Sequence, residues 1–430
     1  MIPDSVHNCN DVHCKNQTHC DEIDLFARDI LNAVEESAFE TLPVVKSGNS
    51  TQSKIIQAGW TEQVKPFRDN AYFWNQIWKS AGKPQNTELH KIMKRTRNLY
   101  HYQFKKCQKS EQIIKRNKLL DACLNSDKDV FEEIKKLRRT NAVVATSMDG
   151  ETNDIPAHFK NIYSELFNSV DDKDDIANIC ETVENKINFT SIYDVRKVTP
   201  DVVKKASKNL KDDKSDPIFS FSTDCIKNGP DSLFDLLSLL IRSFLTHGHV
   251  TVFLLLATLV PIIKDKLGRI DSSKNYRSIA ISSIILKLLD WIILLLFGAT
   301  LGVDQLQFAY QPGSSTTMCT WMVIETVGYF LRNGSEVFTC AMDMTKAFDL
   351  VKHSLLFRKL MSAGLPPIFI RVLLFIYTMQ FANVRWDGKV SETFPLCNGV
   401  RQGAILSAIL YCFYLNDLFR ILRNRRAGTV

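Results

Sequence analysis

From Pro217 onward the sequence turns strongly apolar, and that change limits what the chain can fold into more than any other feature. Leu233, Leu236, Leu237, Leu240, Ile241 and Phe244 recur at helical spacing and stop at Gly248, a residue type that closes helices in the left-handed conformation. Phe253 to Ile263 reads as a buried strand ending in Lys264-Asp265-Lys266, and a second apolar element is led by Asn275-Tyr276-Arg277. Thr251 to Ile263 is too short to cross a bilayer, and Ser278 to Leu301 carries Lys287 and Asp290 near its centre, each costly in lipid. Both stretches are therefore expected in a protein core, with no membrane partner. At 430 residues, 45% apolar and 23% charged, the chain has room for roughly two to four folded units of about 150 residues. The class is α/β or α+β.

The charge is uneven. From Lys91 to Leu120 there are ten basic residues and one acid, Glu111, a local +9 that exceeds the chain's +7. Lys94, Arg95, Arg97, Lys105 and Lys106 stand among Tyr100, Tyr102 and Phe104, and the aromatic cluster Ala71 to Trp78 precedes them. Cations for phosphate and rings for unstacked bases suit nucleic acid. The alternative is a solvated helix face with its aromatics turned inward.

Near the start, His7, Cys9, His13, Cys14, His19 and Cys20 cluster. The spacing Cys9-x4-Cys14-x5-Cys20 lacks the two close pairs of a standard zinc motif, so the favoured reading is a polar segment with free thiols. Eleven cysteines, an odd number, and a start (Met1-Ile2-Pro3-Asp4-Ser5) without an apolar leader predict reduced thiols in nucleus and cytoplasm, not a secreted protein. The acid runs Asp171 to Asp175 and Lys211 to Lys214 follow no apolar strand and read as solvated loops.

A candidate site lies further on. Val337 to Met342 reads as a strand buried on both faces and ending in Asp343, where open sheets bind ligands. Lys346-Ala347-Phe348-Asp349 opens an amphipathic helix that closes at Gly364; for either aspartate the plain alternative is a helix N-cap. Val384 to Val390, with Asp387-Gly388 at its centre, predicts a hairpin. Gly399-Val400-Arg401-Gln402-Gly403 is a turn feeding the apolar helix from Ala404 to Leu422.

In order, Leu259 to Lys264, Asn275 to Ile279, Gln307-Phe308-Ala309-Tyr310, Asp343 to Asp349 and Gly399 to Gly403 resemble the reverse transcriptases of non-LTR, LINE-like retrotransposons. The likeness covers roughly residues 200–430, and the Trp60–Lys109 region resembles the segment that precedes the polymerase in such elements. It implies a right-hand polymerase: a Cys/His-containing segment (1–59), a mainly helical basic extension (60–140), a polar linker (141–199), fingers (200–330) and a partial palm (331–430). Asp343 matches the first catalytic aspartate, a ligand of both Mg²⁺ ions. Phe348 matches the aromatic that excludes a ribose 2′-OH. Arg277 and Lys264 match finger residues on the incoming triphosphate, and Gln402 and Gly403 the turn supporting nucleotide and template. The implied partners are an RNA template, a DNA primer and dNTPs.

The sequence departs from that family in three places. Arg277-Ser278-Ile279 stands where Arg-Pro-Ile is usual, and Asp216-Pro217-Ile218-Phe219 where a Gly-Pro-Asp loop is usual. The aromatic-x-Asp-Asp hairpin with the other two catalytic carboxylates is missing: after residue 350 the acids are Asp387, Glu392 and Asp417. One carboxylate does not hold two Mg²⁺. The expectation is a truncated enzyme, inactive alone, with a non-catalytic RNA-binding remnant of the same scaffold as the alternative.

Overall fold

The computed structural model describes residues 4–7, 9–41, 60–125, 145, 147–150, 154–265, 268–401 and 403–424. Contacts group the chain into two units, one of residues 1–43 with 144–430 and one of residues 44–143.

In the smaller unit, helices Lys65–Ser80, Glu88–Lys109 and Glu111–Asn125 follow one another. The Thr87 side chain accepts from the His90 N–H and so starts the second helix. Its core is small: Val64, Cys107 and Ile114, with Trp60, Tyr100 and Phe104 packed against them.

The larger unit is built around a mixed sheet. Strand β1 (Leu256–Ile263) pairs antiparallel with β2 (Tyr276–Ile281) and parallel with β3 (Phe381–Trp386). β3 also carries β4 (Lys389–Val390) and β5 (Phe394–Pro395), both antiparallel. Asp387 and Gly388 take φ of 47° and 78°, the left-handed pair that a two-residue hairpin turn needs. One face of the sheet, with Ala257, Leu259, Tyr276, Ala382 and Val384, is covered by Phe159, Tyr163 and Phe167 of the Ile155–Phe167 helix.

The main core lies among helices Asp231–His247, Ile284–Phe297 and Pro367–Met379. Leu233, Leu237, Leu240, Ile241 and Phe244 are buried as their spacing predicts, whereas Leu236 is exposed. Gly248 ends that helix at φ 61°. The Gln17–Thr41 helix adds Ile23, Phe26, Ile30 and Leu31 to the same core, so the N-terminal segment is part of the folded body. Ile284–Leu301 and Ile405–Asn424 are long and apolar enough to cross a membrane, but Asp290 sits inside the first as a buried partner of the second.

Three aspartates cap helices far from them in sequence. Asp216 accepts from Ile284 N at 2.8 Å, Asp172 from Ser354 N at 2.7 Å, and Asp290 from Ile405 N at 3.1 Å and Leu406 N at 3.3 Å. This corrects the reading of Asp171–Asp175 as a solvated loop: Asp172 is buried, and Lys352 reaches both it and Asp175. Burial drives the Asp290 carboxyl upward, and Arg401 and the two amide donors oppose that shift. Replacing Asp290 with Ala leaves two N–H groups without this acceptor. The expected loss is about 2–4 kcal/mol in urea unfolding, with an unchanged m-value.

Candidate functional site

The loop after β5 is wedged between two elements, and its glycines permit this. A Cβ on Gly399 (φ 85°) would stand 2.6 Å from the Asp349 carbonyl oxygen. A Cβ on Gly403 (φ 126°) would stand 2.4 Å from the Ala280 carbonyl oxygen of β2. No other residue fits either position without moving backbone. Gly399 N donates to Val351 O at 2.9 Å, Val400 N to Phe348 O at 2.7 Å, and Asn398 Nδ2 to Asp349 O at 2.7 Å. His353 Nε2 lies 2.8 Å from Gly399 O; burial lowers the pKa of this imidazole, so a neutral ring donates there. The loop thereby fastens the Phe348–Val351 turn on one side and reaches β2 on the other. Gln402 lies outside the described residues.

Phe348 belongs to a ring cluster drawn from two of those motifs and from the Ile405–Asn424 helix. It stacks on Tyr411 at 4.7 Å between centroids, and Tyr310 meets it edge-on at 6.2 Å. The helix expected from Lys346 instead begins at His353, because residues 345–350 turn to meet the glycine loop. Asp349 lies in that turn, ahead of the helix.

Arg277 projects from β2 into solvent, paired in register with Ile262. Lys264, at the end of β1, is also exposed; its Nζ donates to Lys274 O at 3.1 Å and its backbone N–H to Asn275 O at 2.7 Å. Asp149 accepts from Ser273 N at 3.0 Å and meets His158 Nε2 at 2.9 Å. The Ser273 bond, aided by His158, holds the Asp149 carboxyl at about 2.

Asp343 is placed differently from its prediction. Residues 335–344 form no strand, and Phe338 is 91% and Met342 71% exposed. A strand buried on both faces needs a ladder partner. The interior of the sheet is full, since β1 is flanked by β2 and β3 and the far side of β3 is taken by β4 and β5, and residues 335–344 do not pair with an edge strand. The preceding Thr316–Arg332 helix buries no residue, so nothing there anchors the segment to the core. Asp343 is exposed, and among the described residues no group of three or more His, Cys or carboxylate ligands forms around it. Mg²⁺ takes several hard oxygens, so the residues present do not fit a two-ion centre.

The basic helix carries its own feature. A shallow groove of about 520 Å³ is lined by Lys91, Lys94, Arg95, Asn98, Leu99 and Tyr102. Arg97, Lys105 and Lys106 are exposed on the same helix. Tyr100 and Phe104 pack inward while Tyr102 stays 62% exposed, so helical phase divides the aromatics between core and surface.

Sequence reasoning missed Arg401 and Asp290 as members of this region. Arg401 is buried with its guanidinium 5.9 Å from the Tyr377 ring centroid, and its charge offsets that of Asp290. The signal available for Asp290 was an acid inside an apolar run; Arg401, in a glycine-rich turn, carried no such signal.

Residues 263–429 match the family described as reverse transcriptase (RNA-dependent DNA polymerase). The chain is similar to the retrovirus-related Pol polyprotein from type-1 retrotransposable element R2 of Bradysia coprophila, 28% identical over 35% of this chain and 17% of that protein. It is similar to the corresponding polyprotein from type-2 retrotransposable element R2DM of Drosophila melanogaster, 24% identical over 36% of this chain and 15% of the relative. A third relative, the RNA-directed DNA polymerase from mobile element jockey of Drosophila melanogaster, is 25% identical over 44% of this chain and 21% of its own length. The chain thus spans about a fifth or less of the curated relatives it matches.

Two outcomes follow from this geometry. Gly403→Ala is expected to lose at least about 2 kcal/mol in urea unfolding, because both the φ and the Ala280 carbonyl oppose a Cβ. Asp149 has a folded pKa of about 2, below the unfolded value of about 3.9. Its contribution is therefore complete above about pH 4 and is lost as the pH falls through about 2. Asp149 is exposed, so solvent screening reduces the effect: Asp149→Ala should cost about 1 kcal/mol at neutral pH and flatten that acid limb in a pH series of unfolding curves.

Proposed function

We infer that this chain, which carries a reverse transcriptase domain of the non-LTR retrotransposon kind, serves RNA-templated DNA synthesis by presenting a deoxynucleotide and template–primer to the surface between β2 and the Phe348 turn. The observation that carries this reading is the docking of Gly403 on Ala280 and of Gly399 on Asp349, which ties three separate sequence motifs into one surface.

On this reading residues 200–330 act as fingers and residues 331–430 as part of a palm. Arg277 and Lys264 are exposed cations suited to a triphosphate. Phe348, its ring plane set by Tyr411, is the wall against a sugar 2′-OH. Gly403 lets the backbone of its loop approach closely, with Gln402 beside it in sequence. Lys94, Arg95, Arg97, Lys105 and Lys106 neutralise phosphates, and Tyr102 offers a face for a base.

Asp343 would offer one hard oxygen to a metal ion, and the other acids after residue 350 are engaged elsewhere. Asp387 forms the hairpin turn, Glu392 pairs with Lys160, and Asp417 pairs with Lys359 and Arg420. These 430 residues by themselves are therefore expected to bind substrates without extending a primer. A second reading, a non-catalytic RNA-binding remnant, draws on the groove at Lys91–Tyr102 and the solitary position of Asp343.

The test is primer extension on an RNA template with Mg²⁺ and dNTPs, comparing this chain with a version extended through the next stretch of its source locus. Extension by the longer version alone supports the first reading; extension by both contradicts the account of Asp343. RNA binding by anisotropy is expected to weaken in Lys94→Ala/Arg95→Ala, with the salt slope reduced by about one per lost phosphate contact. If Asp343→Ala changes neither dNTP nor RNA binding and neither version extends a primer, the RNA-binding reading stands instead.

A further inference from the structure

We propose that Cys9, Cys14, His19 and His247 bind one zinc ion, a structural site that fastens the N-terminal segment to the end of the Asp231–His247 helix. One ligand atom from each of the four lies within 4.8 Å of all the others. His19 Nδ1 is 3.2 Å from His247 Nε2 and 3.4 Å from Cys14 Sγ. A tetrahedron with Zn–N of about 2.05 Å and Zn–S of about 2.3 Å separates its ligand atoms by roughly 3.3–3.8 Å, close to those spacings. Three of the four follow each other as Cys9-x4-Cys14-x4-His19; the fourth comes from 228 residues further along the chain than His19.

The surroundings suit a cation. His247 is buried, and its Nδ1 lies 3.0 Å from Ser243 O. A carbonyl only accepts, so the proton sits on Nδ1 and the Nε2 lone pair faces the cluster, the outer-shell arrangement that orients a metal-binding imidazole. The C-terminal end of a helix favours positive charge. Two thiolates and two neutral imidazoles cancel the charge of Zn²⁺, so the filled site adds no net charge beside buried Arg371. That arginine already joins the same two segments, donating to Val12 O at 2.7 Å and to Leu245 O and Thr246 O at 2.7 and 2.9 Å. A cavity of about 210 Å³ lined by Cys14 and His247 gives an ion access. Cys20 and His13 are not members of the group.

The rival arrangement is a metal-free one in which a proton on His19 Nδ1 bridges to His247 Nε2. The two are separated with the full chain, stripped by a chelator and titrated with Co²⁺. The proposal expects one equivalent to give the visible bands of tetrahedral cobalt with thiolate-to-metal charge transfer, and Zn²⁺ to displace it. Elemental analysis should find one zinc per chain, kept in Cys20→Ser and lost in Cys14→Ser and His247→Ala. Octahedral cobalt without charge transfer, or no zinc on the unaltered chain, would overturn it, as would full zinc content in a folded Cys14→Ser. Should the ligand variants fail to fold, the stoichiometry and cobalt spectrum of the unaltered chain decide.

Discussion

Buried carboxylates that accept from distant helix N-termini hold the larger unit in register. Asp216 starts the Ile284–Phe297 helix, and that helix carries Asp290, which starts the Ile405–Asn424 helix. Asp172 starts the His353–Ser362 helix on the other side. Each bond satisfies an N–H that the helix itself leaves open, and charged acceptors make it stronger than a neutral pair. Burying such a charge is unfavourable without a counter-charge. Lys352 beside Asp172, and Arg401 with Lys287 near Asp290, supply it. Burial in turn lowers the Lys287 pKa, with Asp216 and Asp290 working against that. The apolar core supplies most of the burial, and these ionic caps decide which helix begins where.

That ordering makes the glycine loop possible. Asn398 to Arg401, with Gly403, lie between β5 and the start of the helix that Asp290 caps, against the turn that precedes the helix capped by Asp172. With both ends fixed, Gly399 and Gly403 are pressed into contacts that no side chain tolerates. Arg401, between them, is turned inward over Tyr377. An arginine in a candidate substrate loop invites a ligand role; here its burial and its effect on Asp290 make it part of the support.

Much of this was legible in the sequence where one local rule acts alone. Apolar spacing found the Asp231–His247 helix, Gly248 its end, and Asp387-Gly388 the β3–β4 turn. Reading failed where the outcome depended on partners far away. Val337–Met342 has the composition of a buried strand, but composition does not reveal that every sheet position beside β1 and β3 is taken. Asp172 looks like a solvated acid until the start of the His353 helix is brought to it. The Cys/His cluster looked incomplete because its fourth member lies on another helix. For the candidate site the motif order located the region, while the inward turn of Arg401 and the isolation of Asp343 depend on packing.

The N-terminal segment shows how such a distant dependence can reach the site. Its helix Gln17–Thr41 packs on Asp231–His247, whose far end leads through Val252–Leu255 directly into β1. β1 sets the register of β2, and so the position of Arg277 and of the Ala280 carbonyl against which Gly403 rests. Arg371 clamps the carbonyls at the end of the 231–247 helix to the backbone of Val12. Movement of the N-terminal segment therefore has a short covalent route into the sheet edge that the loop contacts. Residues 9–41 thus share a core with the helix that leads into β1, the strand that ends next to Lys264 and pairs with the one carrying Arg277.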